Sequence, residues 1–398
     1  MKSKLRVAVI GTTGLPARYG GFETLTHHLV DQLGAEVEFT VYCSEKYFEK
    51  GPKRPSVFNG AKLVYLPLNA NGYQSIIYDM ISILHGIRHA DVVLALGVSG
   101  AMLFPVLKLF TNKKILVNID GQEWKRPKWN WIAKKVLGFS EKLAVRFADV
   151  VITDNKVIQQ YVHKSYNRTD AWLIEYGGDH VSKQPLTNYH LEQFPFLNES
   201  YAFNVSRIEP ENNIHMILDA FSRAPQQTLV MVGLWNHGKY GMDLKAKFSN
   251  YPNIHLLDPI YDQDQLNSIR SNAKFYVHGH SAGGTNPSLV EAMCLGLPIL
   301  SYGIDYNLET TNHRARYFNN AEDLLKQLSY FVKTDLSMIG VEMQKYAMQK
   351  YAWQRIASLY LAAFEGESQA MAELSFTILN QSVHTIDLKT NTTRSAAA

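Results

Sequence analysis

Residues 5–25 read LRVAVIGTTGLPARYGGFETL. Val7 to Ile10 is an unbroken apolar run, as a strand buried on both faces requires. Gly11, Gly14, Gly20 and Gly21 follow. Then comes a segment with Leu25 and Leu29 at helical spacing. Strand, glycine loop and helix make the opening unit of a doubly wound α/β domain. The glycines let backbone approach a ligand closely, and the helix start offers free N–H groups to an anion. The same residues also suit a plain strand-to-helix turn. The glycine spacing is not G-x-G-x-x-G, and no ribose-binding acid follows about 20 residues on.

The same grammar repeats outward. VEFTVYC, KLVYLPL, DVVLALG, KILVNID and DVVITDN are short Val-, Ile- and Leu-rich runs ending near Gly, Asp or Asn. YAFNVSR, TLVMVG, NIHLLD, AKFYVHG and LPILSYG repeat the pattern in the second half. Between them lie longer amphipathic stretches. Two such series predict two doubly wound Rossmann-like domains facing each other across a cleft. The pattern lapses between Tyr176 and Pro195, which sets domains at 1–180 and 181–350. One closing helix is expected from about Leu336 to Phe364, with 351–365 crossing back to the first domain. Residues 366–398 are expected to be poorly ordered.

Bulk properties agree. The chain has 398 residues, 46% hydrophobic and 19% charged, which suits two packed domains. A net charge of +4 is too small to argue for nucleic acid. Cys43 and Cys294 are isolated in apolar surroundings, so no disulfide framework or zinc site is expected. His278 and His280 flank Gly279, but no further ligand stands near in sequence, and cleft hydrogen bonding fits them better than a metal. The first apolar run is too short for a signal-peptide core. No run approaches the roughly 20 apolar residues of a membrane span. Around Ile76 to Leu84 the longest candidate is broken by Tyr78, Asp79 and Ser82. A cytoplasmic protein is expected, free to sit peripherally on the inner membrane face.

Three further passages carry candidate chemistry. In GHSAGGTNPSLVEAMCLGLPIL, Asn286 is a good N-cap, Pro287 a good first helical residue, and Gly296 a stop. The helix start suits a phosphate. Glu291, one turn in, suits a ribose better than a phosphate, although an exposed Glu on a capped helix explains it too. In NVSRIEPENNIHMILDAF, Arg207 follows a strand at the ligand end of the sheet, where a diphosphate clamp belongs. A surface pair with Glu209 or Glu211 is the alternative. In NIDGQEWKRPKWN, Asp120 ends a strand at the cleft and Glu123 follows. Asp120 could serve the acceptor hydroxyl or cap the next helix.

Together GTTGLPARYGGFETL, NIDGQEWKRPKWN, NVSRIEPENNI and HGHSAGGTNPSLVEA resemble GT-B-fold glycosyltransferases of the family 4 type. The N-terminal half resembles bacterial rhamnosyltransferases of capsule and O-antigen synthesis. YAWQRIASLYLAAF resembles the crossing helix of that fold, and Tyr176–Asp179 its donor-side lining. The resemblance implies a retaining enzyme that moves a hexosyl group, rhamnosyl from dTDP-rhamnose, to a lipid-linked glycan. No metal is implied. On the donor it implies Gly20, Gly21, Arg207, Gly283, Gly284, Thr285, Asn286, Pro287, Ser288 and Glu291. It implies catalytic roles for Asp120 and Arg207. Two departures stand out: Gly283 replaces the first Glu of E-x7-E, and Asn212 replaces the Lys that partners the clamp Arg. A glycine at 283 suits a deoxysugar. The rival readings are another sugar nucleotide, a sugar-nucleotide epimerase, or a non-catalytic sugar-nucleotide-binding protein.

From Glu123 to Arg146 the chain interleaves Lys125, Arg126, Lys128, Lys134, Lys135, Lys142 and Arg146 with Trp124, Trp129, Trp131, Ile132, Leu137 and Phe139. Cations beside tryptophans suit an anionic membrane surface. Glu123, Trp124, Lys125, Arg126 and Lys128 are thereby expected on the acceptor or membrane side. An ordinary amphipathic surface helix is the alternative.

Overall fold

The computed structural model describes residues 3–17, 20–48, 54–119, 121, 124 and 129–378. The first domain runs β1 (Leu5–Ile10), α1 (Gly21–Leu33), β2 (Val37–Ser44), β3 (Val57–Phe58), β4 (Ala61–Leu66) and α2 (Gln74–His89). It continues through β5 (Val92–Leu96), α3 (Phe104–Phe110), β6 (Lys114–Ile119), α4 (Trp131–Phe147), β7 (Val150–Thr153), α5 (Lys156–Tyr166) and β8 (Trp172–Leu173). Its sheet has the order β3-β4-β2-β1-β5-β6-β7-β8. The pairings are parallel except β3 with β4. Every residue of β5 is buried, which is why VVLAL does not alternate. Helices α2 to α5 pack on one face through Tyr78, Phe104, Ala144 and Ile158.

The second domain opens with α6 (Asn188–Gln193), then β9 (Tyr201–Val205), α7 (Ile214–Ser222), β10 (Thr228–Val232), α8 (Lys239–Phe248) and β11 (Ile254–Leu257). There follow α9 (Gln263–Ser271), β12 (Phe275–His278), α10 (Pro287–Cys294), β13 (Ile299–Tyr302), α11 (Asp305–Thr310), β14 (Arg316–Phe318), α12 (Ala321–Lys333), α13 (Ser337–Lys350) and α14 (Trp353–Glu365). Its sheet, β11-β10-β9-β12-β13-β14, is parallel throughout. In both sheets the strand order reverses beside the first strand of the domain, so both present a switch-point crevice.

The single closing helix expected from Leu336 to Phe364 is instead two. Ala352 is extended, and the Trp353 N–H donates to Asp179 Oδ1 at 2.8 Å, which starts α14 afresh. α13 stays in the second domain through Met343 and Ala347. α14 buries Trp353, Ile356, Leu359, Tyr360 and Phe364 in the first domain's core against α1. Residues 369–378 also correct the expectation of a poorly ordered tail, because they are helical. The Gln369 amide pairs with both the N–H and the C=O of Leu173, each at 3.0 Å, and so closes the open edge at β8. Among the described residues no helix is long and apolar enough to cross a membrane.

Candidate active site

The first glycine loop is held from beneath by Glu23. Thr13 donates to Glu23 Oε1 from its backbone N–H at 2.7 Å and from its hydroxyl at 2.9 Å. A Cβ on Gly20 would lie 2.0 Å from Glu23 Oε2, and Gly20 has φ 125°, so space and conformation both demand glycine. Burial raises the Glu23 carboxyl above its ordinary range, opposed by the Thr13 hydrogen bonds and by the charge of Arg207. A Cβ on Gly21 would come within 3.5 Å of the Tyr176 ring and 3.7 Å of Pro287 Cγ. The N-terminus of α1 therefore meets the N-terminus of α10 across the cleft. Two helix starts converge on one place, and such ends attract anions.

The second loop is built to the same end. The Asn286 side chain accepts from the Ser288 N–H at 3.1 Å and the Ser288 hydroxyl at 2.7 Å. Tyr276 donates to Ser288 Oγ at 3.0 Å. Gly283 has φ 106° with open space beside it, so a side chain there would be strained although nothing would clash. Gly284 lies against the first domain: a Cβ would fall 1.9 Å from Asp154 Oδ1. Thr285 is buried and its hydroxyl donates to the Asp154 carbonyl. Asn155 Nδ2 donates to the Tyr306 carbonyl and Thr310 Oγ1, each at 3.3 Å. The hydroxyl of Thr285, expected at the donor, thus clasps the two domains.

Glu291 is not the exposed carboxylate that a capped helix alone would give. Its Oε2 pairs with Arg270, whose side chain is 4% exposed, and its Oε1 lies 3.2 Å from His180 Nε2. Burial alone would raise its pKa. Arg270 and His180 together outweigh that and hold it near about 2. His28 of α1 stacks on Trp353 at 4.2 Å and packs against His180 at 4.6 Å. Burial, reinforced by His180 and His27, pushes His28 down to about 3. A Cβ on Gly178 would press on the Val290–Glu291 backbone, and one on Gly177 on the Trp353 ring. Tyr176–Asp179 therefore packs between α10 and α14.

Arg207 makes no ion pair with Glu209 or Glu211 among the described residues. It lines a cleft pocket of about 170 Å³ together with Gly11, Gly97, Gly121 and Trp129. Asn212 is buried, and its Nδ2 donates to the Arg207 carbonyl at 2.7 Å. It fixes the clamp loop and adds no charge to it. Asp120, Glu123, Lys125, Arg126 and Lys128 lie outside the described residues. Trp124 Nε1 donates to Glu141 at 3.4 Å, so its ring turns to α4. Glu141 itself is fully buried and accepts from Tyr161 and Tyr166 at 2.6 Å each. His278 stacks on His280 at 4.4 Å. Both His278 ring nitrogens are buried without partners, contrary to the hydrogen-bonding role expected of it. Among the described residues no group of His, Cys, Asp or Glu could hold a metal ion.

Residues 189–350 match the family described as glycosyl transferases group 1. The second half of the chain is thus similar to the group 1 glycosyltransferases. Residues 4–179 match a domain described as of unknown function, DUF1972. The two matched regions meet where the sheets change over. A search of curated proteins finds no match. The chain is similar in structure to a sucrose-phosphate synthase from Thermosynechococcus elongatus, with TM-score 0.75 and 15% identity over 95% of this chain and 100% of that one. It is similar to HepE of Anabaena in complex with UDP and glucose, with TM-score 0.71 and 15% identity over 91% and 100%. A putative UDP-N-acetylglucosamine 2-epimerase from Listeria monocytogenes gives TM-score 0.60 and 14% identity over 92% and 98%. The fold is GT-B, and the group 1 match supports a glycosyltransferase. Arg270 and His180 hold Glu291 directly, and His28 and Trp353 pack on His180 behind it, all from different elements. No sequence spacing links them to the GGTNPS motif, so the motif alone could not reveal them.

Proposed function

We propose that this glycosyltransferase moves a hexosyl group with retention of configuration from a nucleoside-diphosphate sugar to a hydroxyl of a lipid-linked glycan. Rhamnosyl from dTDP-rhamnose is the proposed donor, in family 4 style and for cell-surface polysaccharide such as capsule or O-antigen. The meeting of the α1 and α10 N-termini beside Arg207 carries the reading. A leaving diphosphate there is neutralised by backbone N–H groups and one guanidinium, without a metal. The sugar C1–O bond to the diphosphate breaks and a C1–O bond to the acceptor forms on the same face. Asp120 is assigned to the acceptor hydroxyl.

In this reading Glu291 accepts from the nucleotide ribose. His180 and Arg270 take one site on each oxygen, and a carboxylate has about four. The open space beside Gly283 suits a sugar lacking a hydroxyl. Membrane docking is supported by the outer face of α4, where Trp131, Ile132 and Phe139 are exposed beside Lys135 and Lys142.

The deciding experiment offers dTDP-rhamnose, UDP-glucose, UDP-N-acetylglucosamine and GDP-mannose, with and without a lipid-linked glycan fraction. Nucleoside diphosphate release and glycan mass are measured. The expected result is acceptor-dependent release from dTDP-rhamnose, with the donor's anomeric configuration kept in the product by NMR. Turnover that needs no acceptor would make the protein an epimerase, and release from none of the donors would make it a binding protein.

A further inference from the structure

The inward face of α2 carries Ser75, Tyr78, Asp79 and Ser82 beside Ile83 and Gly86, while Ile77, Ile81 and Leu84 are exposed. Asp79 is 5% exposed. Its Oδ1 is fully buried and has no hydrogen-bond partner. An unpartnered buried carboxyl is costly and native proteins rarely tolerate one without a use. Asp79 lines the cleft pocket beyond the carboxyl ends of β1 and β5, and Arg207 of the second domain lines it too. Ser75 lies one turn before it on the same face, and its hydroxyl is 3.5 Å from that of Ser99. Asn71 and Trp129 line the same pocket, beside the apolar Phe22, Leu96 and Val98. A carboxyl, two hydroxyls, an amide and an indole face are the groups that recognise a pyranose ring, whose edges are hydroxyls and whose face is apolar.

We infer that Asp79 is an acceptor-binding residue, its carboxyl bonding a hydroxyl of a pyranosyl unit held by Ser75, Ser99, Asn71 and Trp129. The inference rests on the transferase reading and names the acceptor subsite within it. Burial raises the Asp79 pKa well above its ordinary range, so the acid form is available to donate as well as accept.

The test uses the full chain, with and without dTDP, and methyl pyranosides of glucose, galactose, mannose, rhamnose and N-acetylglucosamine. Binding is read by saturation-transfer NMR. The wild type should bind at least one of these glycosides. Asp79→Leu should weaken that binding by about tenfold or more, and Asp79→Asn, which keeps a hydrogen-bonding group, by less. The melting temperature of Asp79→Leu should hold or rise, because an unpartnered carboxyl has been removed, and its dTDP affinity should stay within about twofold. The inference fails if the wild type binds no glycoside. It also fails if Asp79→Leu binds as well as wild type, or if it loses dTDP affinity and melting temperature together, as a structural residue would. Failure of the transferase reading would instead appear as a wild type that binds neither dTDP nor any sugar nucleotide.

Discussion

Breaking the Glu291–Arg270 pair leaves a guanidinium buried without its carboxylate. Glu291→Gln should therefore cost about 3–5 kcal/mol of stability, read from urea midpoints. It should also weaken binding of the free nucleoside diphosphate, measured by calorimetry below the variant's melting temperature. Unchanged nucleotide affinity would move Glu291 off the ribose. The pH dependence has a definite sign. Glu291 is held near about 2, against an ordinary 4.5. Its pairing stabilises the fold above about pH 4.5, and that contribution is lost as pH falls toward 2. His278 acts earlier in an acid titration. Burial holds it near about 3, so below about pH 6.5 the unfolded chain binds a proton that the native state refuses. Stability should fall by about 1.4 kcal/mol per pH unit from this group alone, and His278→Phe should flatten that slope. Arg207→Ala should cost about 2–4 kcal/mol of transition-state stabilisation in kcat/KM, with unchanged kinetics removing it from the clamp. Arg207 and Glu291 were legible because each sits in a local motif at a strand or helix end. Asp79 was legible only as an interruption of an apolar run, since nothing local says whether an interruption points inward or outward.

Helix faces carry the next level of meaning. The basic and aromatic run over α4 divides in the structure: Leu137 turns to the core, while Trp131 is 67% and Phe139 54% exposed. Glu141, one of its few acids, is buried beneath two tyrosines, so the outward face is more cationic than its composition implies. Next to it α3 exposes Leu109 and Phe110, and α2 exposes Ile77 and Ile81. All three helices pack on the same face of the first sheet. Each cation near an anionic surface is worth about 1 kcal/mol. Wild type should pellet with phosphatidylserine vesicles at low salt, and replacing Lys134, Lys135 and Lys142 by Glu should leave it in the supernatant. A wild type that ignores such vesicles would sink membrane docking and leave the transferase reading standing. The sequence pointed to α4 because tryptophans and lysines alternate there. It gave no sign of the α2 face, whose exposed residues look like core until their neighbours are known.

Over the whole molecule, both sheets were readable because parallel strands buried on two faces are continuous apolar runs. The strands that escaped were β3, β8 and β14, two or three residues long and placed at sheet edges, too short to carry a pattern. The break between α13 and α14 escaped as well, since Tyr351 and Ala352 are not helix breakers and the interruption comes from Asp179, far off in sequence. That break sends α14 into the first domain's core, where Tyr360 also accepts from Asn118 Nδ2 at 2.7 Å. On the ribosome this has a cost in time. A domain made first ordinarily folds first, but here residues 4–179 must wait, with a greasy trough open beside α1, until the entire second domain has been synthesised. Chains stopped before Trp353 should accumulate as insoluble protein even though every strand of the first sheet is present, and supplying residues 351–378 as a separate peptide during refolding should recover soluble material. The maturation of the first domain is thereby tied to completion of the second, and a nascent chain cannot present one wall of the cleft before it has the other to face it.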